Sequence, residues 1–327
     1  MKVDARKLHQ ESIVFDGHCD TLLAVLTGKR RLGERSNEGH LDLPRMREGG
    51  VTAQIFAICT CSGRLPGGPL KQALRMLDAF YRELEANPHS LILATSAADV
   101  ERAKEEGKVA AILGLEGAEP LEGDLGVLRM LHRLGVRVVG LTWNRRNQAA
   151  DGVNEARTGG GLTNFGVELV REMNRLGMVI DVAHLAPAGV RDVLELSEAP
   201  VIASHANAHA LCPHRRNLTD EQLEAIAARG GVVGVTFVPG FVAENKQEAS
   251  LGRLLDHIDH IAKVAGIDHV GLGSDFDGFT DRPMAGLEDV TGLPNITAGL
   301  LERGYSPDEV KKLLGGNFLR VFREVVG

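Results

Sequence analysis

The 327-residue chain carries 37 Lys and Arg against 44 Asp and Glu, a formal charge of −7, with 43% hydrophobic and 25% charged residues. That balance describes a soluble globular protein, and an acidic excess with no basic stripe excludes a nucleic-acid partner. No apolar run reaches the roughly 18 residues of a membrane span, and the mixed-charge start MKVDARKLHQ lacks a secretory signal's apolar core, so no membrane partner and a cytoplasmic location are expected.

The first apolar run, Ile13-Val14-Phe15, reads as a buried strand that ends in Asp16-Gly17-His18-Cys19-Asp20. Alternate side chains of an extended chain share a face, so His18 and Asp20 point one way and Cys19 the other. A helix opens over Asp20 to Leu26, Lys29 to His40 reads as an exposed charged loop, and Val51 to Cys59 is a second strand. Apolar residues at helical spacing, among them Leu70, Leu74, Leu77 and Leu84, form the buried face of a surface helix over 70–86. Ser96 caps another over 96–105.

Val109 to Leu115 is a third strand ending in Glu116-Gly117, Leu125 to Leu134 a helix, and Val136 to Thr142 a fourth strand running into Trp143-Asn144. The loop Gly159-Gly160-Gly161 has no Lys at P-loop spacing and reads as the lead-in to a helix over 164–176, capped by Thr163 or Asn164. Met178 to Val182 is the fifth strand, ending in Ala183-His184, and Pro200 to Ser204 the sixth, ending in His205. A short helix over 187–196 fits between them, so the two can be parallel neighbours. After the loop 206–218, Thr219 and Gln222 form a capping box. Gly231 to Phe237 is the seventh strand, and His269 to Ser274 the eighth, ending in Asp275-Phe276-Asp277-Gly278. Ser306-Pro307-Asp308-Glu309 is a second capping box that opens the C-terminal helix.

Eight apolar strands alternating with helices predict parallel βα units. A doubly wound sheet would favour a Gly-rich dinucleotide turn after the first strand, and there is none. The expected fold is therefore a closed (β/α)8 TIM barrel, a single domain over residues 1–327 with no linker or repeat.

In such a barrel, functional groups collect at the C-terminal ends of the strands. His18, Asp20, Glu116, His184, His205 and Asp275 all fall there. Crowded imidazoles and carboxylates imply metal, since each would otherwise need its own buried partner. His18, Asp20, Glu116, His184 and His205 exceed the needs of one tetrahedral ion with an open position but suit two ions that share a carboxylate. Glu116 is the natural bridge, because it has two oxygens where a histidine offers one free nitrogen. His18 and Asp20 are assigned to one ion, His184 and His205 to the other. Asp275 remains as a proton carrier between a bridging water and the leaving amine.

These residues resemble the membrane dipeptidase (renal dipeptidase) family of zinc peptidases. Its marks are Asp16-Gly17-His18-Cys19-Asp20, Gly114-Leu115-Glu116-Gly117, Ile180-Asp181-Val182-Ala183-His184, Ser204-His205, Pro213-His214-Arg215-Arg216-Asn217 and Asp275-Phe276-Asp277-Gly278. The resemblance runs from about Ile13 to the final helix. It implies a barrel of the metallo-dependent hydrolase type, two zinc ions bridged by Glu116, and cleavage of dipeptides, often with a D-residue on the C-terminal side. It also implies that Arg216 holds the substrate's terminal carboxylate, and it suggests a homodimer. Two positions depart from the family's animal members. Where those carry a histidine against the substrate carbonyl, this chain reads Trp143-Asn144, and Phe241 lies near the place of a carboxylate-binding tyrosine. Indole cannot ligate or titrate, so carbonyl polarisation falls to the metal or to Asn144. Animal members are also secreted and lipid-anchored, which this unsignalled start does not match.

Other features are read as structural. Cys19, Cys59, Cys61 and Cys212 are too few for a disulfide framework and are expected to be buried thiols. His257 and His260, at i,i+3 spacing away from the strand ends, read as helix-surface residues. Ser204 beside His205 should face away from it, and no G-x-S-x-G elbow marks it as a nucleophile. The expected function is a zinc dipeptidase. The alternatives are an amidohydrolase for a cyclic amide or N-acyl amino acid at the same two-metal site, and a metal-binding protein without catalysis, against which Asp275 argues.

Overall fold

In a computed structural model the described residues are 3–60 and 67–327, so Cys61 lies outside them. Among these residues nine strands follow in chain order: β1 (Phe15–Cys19), β2 (Ala53–Cys59), β3 (Leu91–Leu93), β4 (Val109–Glu116), β5 (Val136–Gly140), β6 (Val179–Asp181), β7 (Ile202–Ala203), β8 (Val232–Val235) and β9 (Val270–Leu272). All pair in parallel, in the order β2-β1-β9-β8-β7-β6-β5-β4, and a further pairing of β2 with β4 closes the ring into an eight-stranded barrel. The runs are apolar on both faces because one face fills the barrel and the other meets the surrounding helices. β3 is the addition that the sequence reading does not contain. It pairs with Val109 to Ala111 at the start of β4, before β5 takes over that edge at Leu113. Three apolar residues between two helices carry too little pattern to announce a strand.

Inside the barrel, Phe15, Ile55, Ile112, Val138, Val179 and Val232 pack in one cluster with Phe318 and Phe322 of the helix Asn317–Val326, which seals the N-terminal end. The stretch opened by the Ser306 capping box is not one continuous α-helix. A π-helical turn over Lys312–Gly316 seats Gly315 against β1, where a Cβ would come within 2.5 Å of the Ile13 carbonyl. Capping boxes form at Thr219 and Ser306 as expected, and also at Ser96 with Asp99. Thr163 caps the helix Asn164–Leu176.

One irregularity decides the site. Phe15 pairs with Ala53, yet Cys19 pairs with Phe56, so β1 carries one residue more than β2 over this interval. The extra residue is a bulge that reverses the facing of the strand. Phe15 packs in the interior cluster, while Cys19 joins the outer cluster with Phe56. His18 thereby turns into the mouth, where strict alternation from Phe15 would have turned Cys19.

Two readings require correction. The segment 29–40 is not simply exposed: Leu32 is buried, and Arg30 and His40 both bond to Asp277. Leu74, placed on the buried face of its helix, is exposed. No helix among the described residues is long and apolar enough to cross a membrane.

Candidate active site

The six residues expected to share a site meet at the C-terminal mouth of the barrel. Three overlapping groups have donor atoms within 4.8 Å of one another: His18 with Asp20 and Glu116, Glu116 with His184 and His205, and His18 with His205 and Asp275. Glu116 belongs to the first two. Its Oε1 lies 2.9 Å from His184 Nε2, 3.7 Å from His18 Nε2 and 3.8 Å from His205 Nε2. His184 and Asp275 stand at φ +66° and +62°, in the left-handed region that residues with a side chain avoid. Such conformations cost of order 1–3 kcal/mol each and persist where surrounding structure imposes them.

The donor set fits divalent cations. His184 Nδ1 lies 2.8 Å from Asn144 Oδ1, so with Nδ1–H donated there its Nε2 carries a lone pair. That Nε2 faces His205 Nε2 at 2.9 Å. His18 Nε2 is buried and makes no well-formed hydrogen bond, although Asp20, Glu116 and Asp275 surround it at 3.4, 3.7 and 3.9 Å. A buried orphan nitrogen among three carboxylates, and two imidazoles nitrogen to nitrogen, are arrangements that cations relieve.

The electrostatics separate the histidines. Burial alone would hold His18 neutral, but Glu116, Asp20 and Asp275 outweigh it and push its pKa up to about 10. His184 and His205 are held well below the usual value by burial, with Arg216 and His18 adding to it. Burial and the nearby Asp20 raise Glu116 to about 7, and burial raises Asp275 well above the usual carboxylate range.

A cleft opens over this cluster, lined among others by Leu23, Trp143, Arg216, Val238, Phe241 and Phe279. Arg216 is buried; its Nη2 donates to the His205 carbonyl at 3.1 Å, while its Nε has no hydrogen-bond partner among the described residues. Phe241 stacks on His214 at 4.4 Å, and the Arg216 guanidinium carbon lies 5.7 Å from its ring centre. The ring is thus a platform for the cation, where a tyrosine would add a donor. Trp143 sits 6.1 Å from His184, ring to ring. The side-chain oxygen of Asn144 is taken by His184. Arg215 turns away from the cleft and donates to Asn154.

Other polar residues of the site were given no role from the sequence. Asp181 and Ser204 stand behind His205, and the reading that Ser204 faces away from its neighbour is corrected: its Oγ lies 2.7 Å from His205 Nδ1. Asp16 accepts from the backbone and hydroxyl of Ser274 and so ties β1 to the strand that carries Asp275. The Cys59 thiol, at the end of β2, bonds to Glu116. Asp277 gathers Thr21, Arg30 and the His40 backbone at one wall of the cleft. The signal for these was a carboxylate or hydroxyl inside an apolar strand, as at Asp16 and Asp181. His257 is also corrected, for it is buried, with Nε2 on the Val242 carbonyl and Nδ1 on the Ala208 amide.

The chain as a whole is similar to known proteins. The sequence model of the membrane dipeptidase family, peptidase family M19, matches residues 3–326. The chain is 38% identical over 297 residues to Dipeptidase aclJ of Aspergillus oryzae, covering 88% of this chain and 70% of that protein. It is 37% identical to Dipeptidase tcpJ of Claviceps purpurea, covering 88% and 69%. Among solved structures, it is similar to a metallo peptidase from Rhodobacter sphaeroides liganded with a phosphinate mimic of the dipeptide L-Ala-D-Ala: TM-score 0.89, 35% identity, covering 96% of this chain and all of that one. The chain belongs to peptidase family M19, the membrane dipeptidases, and is a metal-dependent hydrolase of peptide bonds.

Proposed function

We propose that the protein hydrolyses dipeptides, L-Xaa-D-Xaa among them, at a centre of two zinc ions, one held by His18 and Asp20 and the other by His184 and His205, with Glu116 shared. The observation that carries this reading is that Glu116 alone is common to the group that holds His18 with Asp20 and the group that holds His184 with His205. When bound there, the ions would polarise the scissile carbonyl and acidify water at neutral pH. The remaining tasks fall to the chain's own side chains. The Asp275 carboxylate takes a proton from the attacking water and delivers it to the leaving amine nitrogen, a role that its place in one donor group with His18 and His205 supports. Arg216, with an unpartnered Nε and a guanidinium fixed over Phe241, receives the terminal carboxylate of the substrate. Trp143, Leu23 and Phe279 wall the cleft, and favour a short apolar substrate. The phosphinate mimic of L-Ala-D-Ala in the Rhodobacter sphaeroides peptidase supports acceptance of a D-residue at the C-terminal position.

The test is to compare release of alanine from L-Ala-L-Ala, L-Ala-D-Ala and the C-terminal amide of each. The free acids should be cleaved, and the amides should fall by about 10–100-fold for loss of one charged hydrogen-bonding partner. Turnover of cyclic or N-acylated substrates with inert free dipeptides would move the assignment to the amidohydrolase alternative.

A further inference from the structure

Behind His205 lies a chain of hydrogen bonds that ends on a buried carboxylate. Ser204 Oγ is 2.5 Å from Asp181 Oδ2 and 2.7 Å from His205 Nδ1. The other oxygen of Asp181 accepts the backbone N–H groups of Ala183 and Ser204, each at 2.9 Å. All three residues are buried. A carboxylate accepts only, so the single hydroxyl hydrogen of Ser204 goes to Asp181, and Ser204 Oγ is left to accept from His205 Nδ1–H. The lone pair of His205 then sits on Nε2, on the side of Glu116.

Two neighbours in sequence share this bond because the chain leaves the extended form at the end of β7. The Ser204 carbonyl swings toward the barrel axis, into space kept by glycines of three other strands or their extensions. A Cβ at Gly273, Gly234 or Gly17 would come within 1.9, 2.3 or 2.7 Å of that oxygen. Backbone is the obstacle in each case, so no side-chain shift makes room.

We propose that Asp181 and Ser204 are positioning residues that fix the tautomer of His205 and aim its Nε2 at the site it shares with His184 and Glu116. This rests on the reading of His205 as a metal ligand. The counterpart at His184 is the neutral amide of Asn144, whereas His205 is backed through Ser204 by a charge. Removing a partner of this kind from a metal-binding imidazole typically costs 10–100-fold in metal affinity.

The experiment measures zinc stoichiometry and affinity by chelator competition for the wild type and for His205→Ala, Ser204→Ala, Ser204→Thr and Asp181→Asn, with thermal unfolding of the metal-free proteins alongside. His205→Ala should lose one ion outright. Ser204→Ala should weaken one of two ions by about 10–100-fold. Ser204→Thr, which keeps the hydroxyl, should lie closer to wild type, whereas Asp181→Asn, whose single oxygen cannot accept from both the backbone N–H groups and the Ser204 hydroxyl, should weaken the same ion. If His205→Ala keeps both ions, the ligand assignment itself fails. If His205→Ala loses one while Ser204→Ala keeps two of wild-type affinity, only the relay is overturned. Should Ser204→Ala not fold, ring nitrogen spectra of metal-free wild type decide: His205 protonated on Nδ1 supports the relay, and protonation on Nε2 overturns it.

Discussion

The Nε2 atoms of His184 and His205 face each other at 2.9 Å, while the Nδ1 of each ring is engaged elsewhere, by Asn144 and by Ser204. Two imidazoles held in that way present lone pairs to the same point. The fold therefore keeps these histidines ready for a cation.

Metal binding should release protons. His18 is pushed up to about 10 and Glu116 to about 7 in the metal-free site, so at neutral pH the ions displace protons from groups that must be deprotonated to ligate. Apparent zinc affinity should rise with pH from 6 toward 10, and titration calorimetry in buffers of different ionisation heat should report net proton release. An affinity independent of pH would contradict the arrangement.

Asp275→Asn should keep both ions and lose turnover. The amide preserves size but cannot carry a proton, and general acid–base contributions are typically 10²–10⁴-fold. Because Asp275 also lies within reach of His18 and His205 in one donor group, metal analysis of the variant is part of the measurement. Loss of an ion would make Asp275 a ligand rather than the proton carrier.

Arg216→Lys should raise KM for dipeptides by about 10–100-fold with a smaller change in kcat. A lysine keeps the charge but not the planar fork that pairs two carboxylate oxygens, and it forfeits the placement over Phe241. Phe241→Leu should weaken the same KM by less, since it removes the platform and leaves the guanidinium. Steady-state kinetics on L-Ala-L-Ala separate the two.

Away from the site, His257 gives a pH dependence of stability. Burial holds its folded pKa below the ordinary value, and its two nitrogens meet a carbonyl and an N–H, so only the neutral ring with Nε2–H satisfies both. The unfolded chain takes up the proton first. This contribution is complete above about pH 6.5 and is lost as pH falls below it. His9, buried between Gly49 and Thr297 and also shifted down, acts with the same sign. Denaturant unfolding of chelated protein from pH 7.5 to 5.5 should show stability falling, with a shallower fall in His257→Gln.

Much of this was legible in the sequence because period-2 and helical patterns are local. The barrel strands, the main helices and the placement of Glu116, His184, His205 and Asp275 at strand ends all follow from apolar runs that stop at a polar residue. His18 was placed correctly relative to Asp20, but its turn into the mouth depends on a bulge, which only the pairing of β1 with β2 reveals. Ser204 was misread for a related reason. Alternation holds for a strand, and the chain at Ser204 is no longer one, having swung its carbonyl toward glycines remote in sequence. His257 looked like a surface residue because its helix is amphipathic, and the loops that cover it come from 206–218 and 239–243. In each case the deciding contact is long-range, and no window of sequence contains both partners.

The central claim is that two ions bridged by Glu116 make this chain a dipeptidase. The most direct measurement is amino-acid release from L-Ala-L-Ala and L-Ala-D-Ala by protein whose zinc content is determined in the same preparation, before chelation, after it, and after zinc is returned. The account predicts turnover with two zinc ions per chain, none after chelation, and recovery that follows reoccupation of both sites. Full turnover by metal-free protein, or two bound ions with no release from either dipeptide, would contradict it.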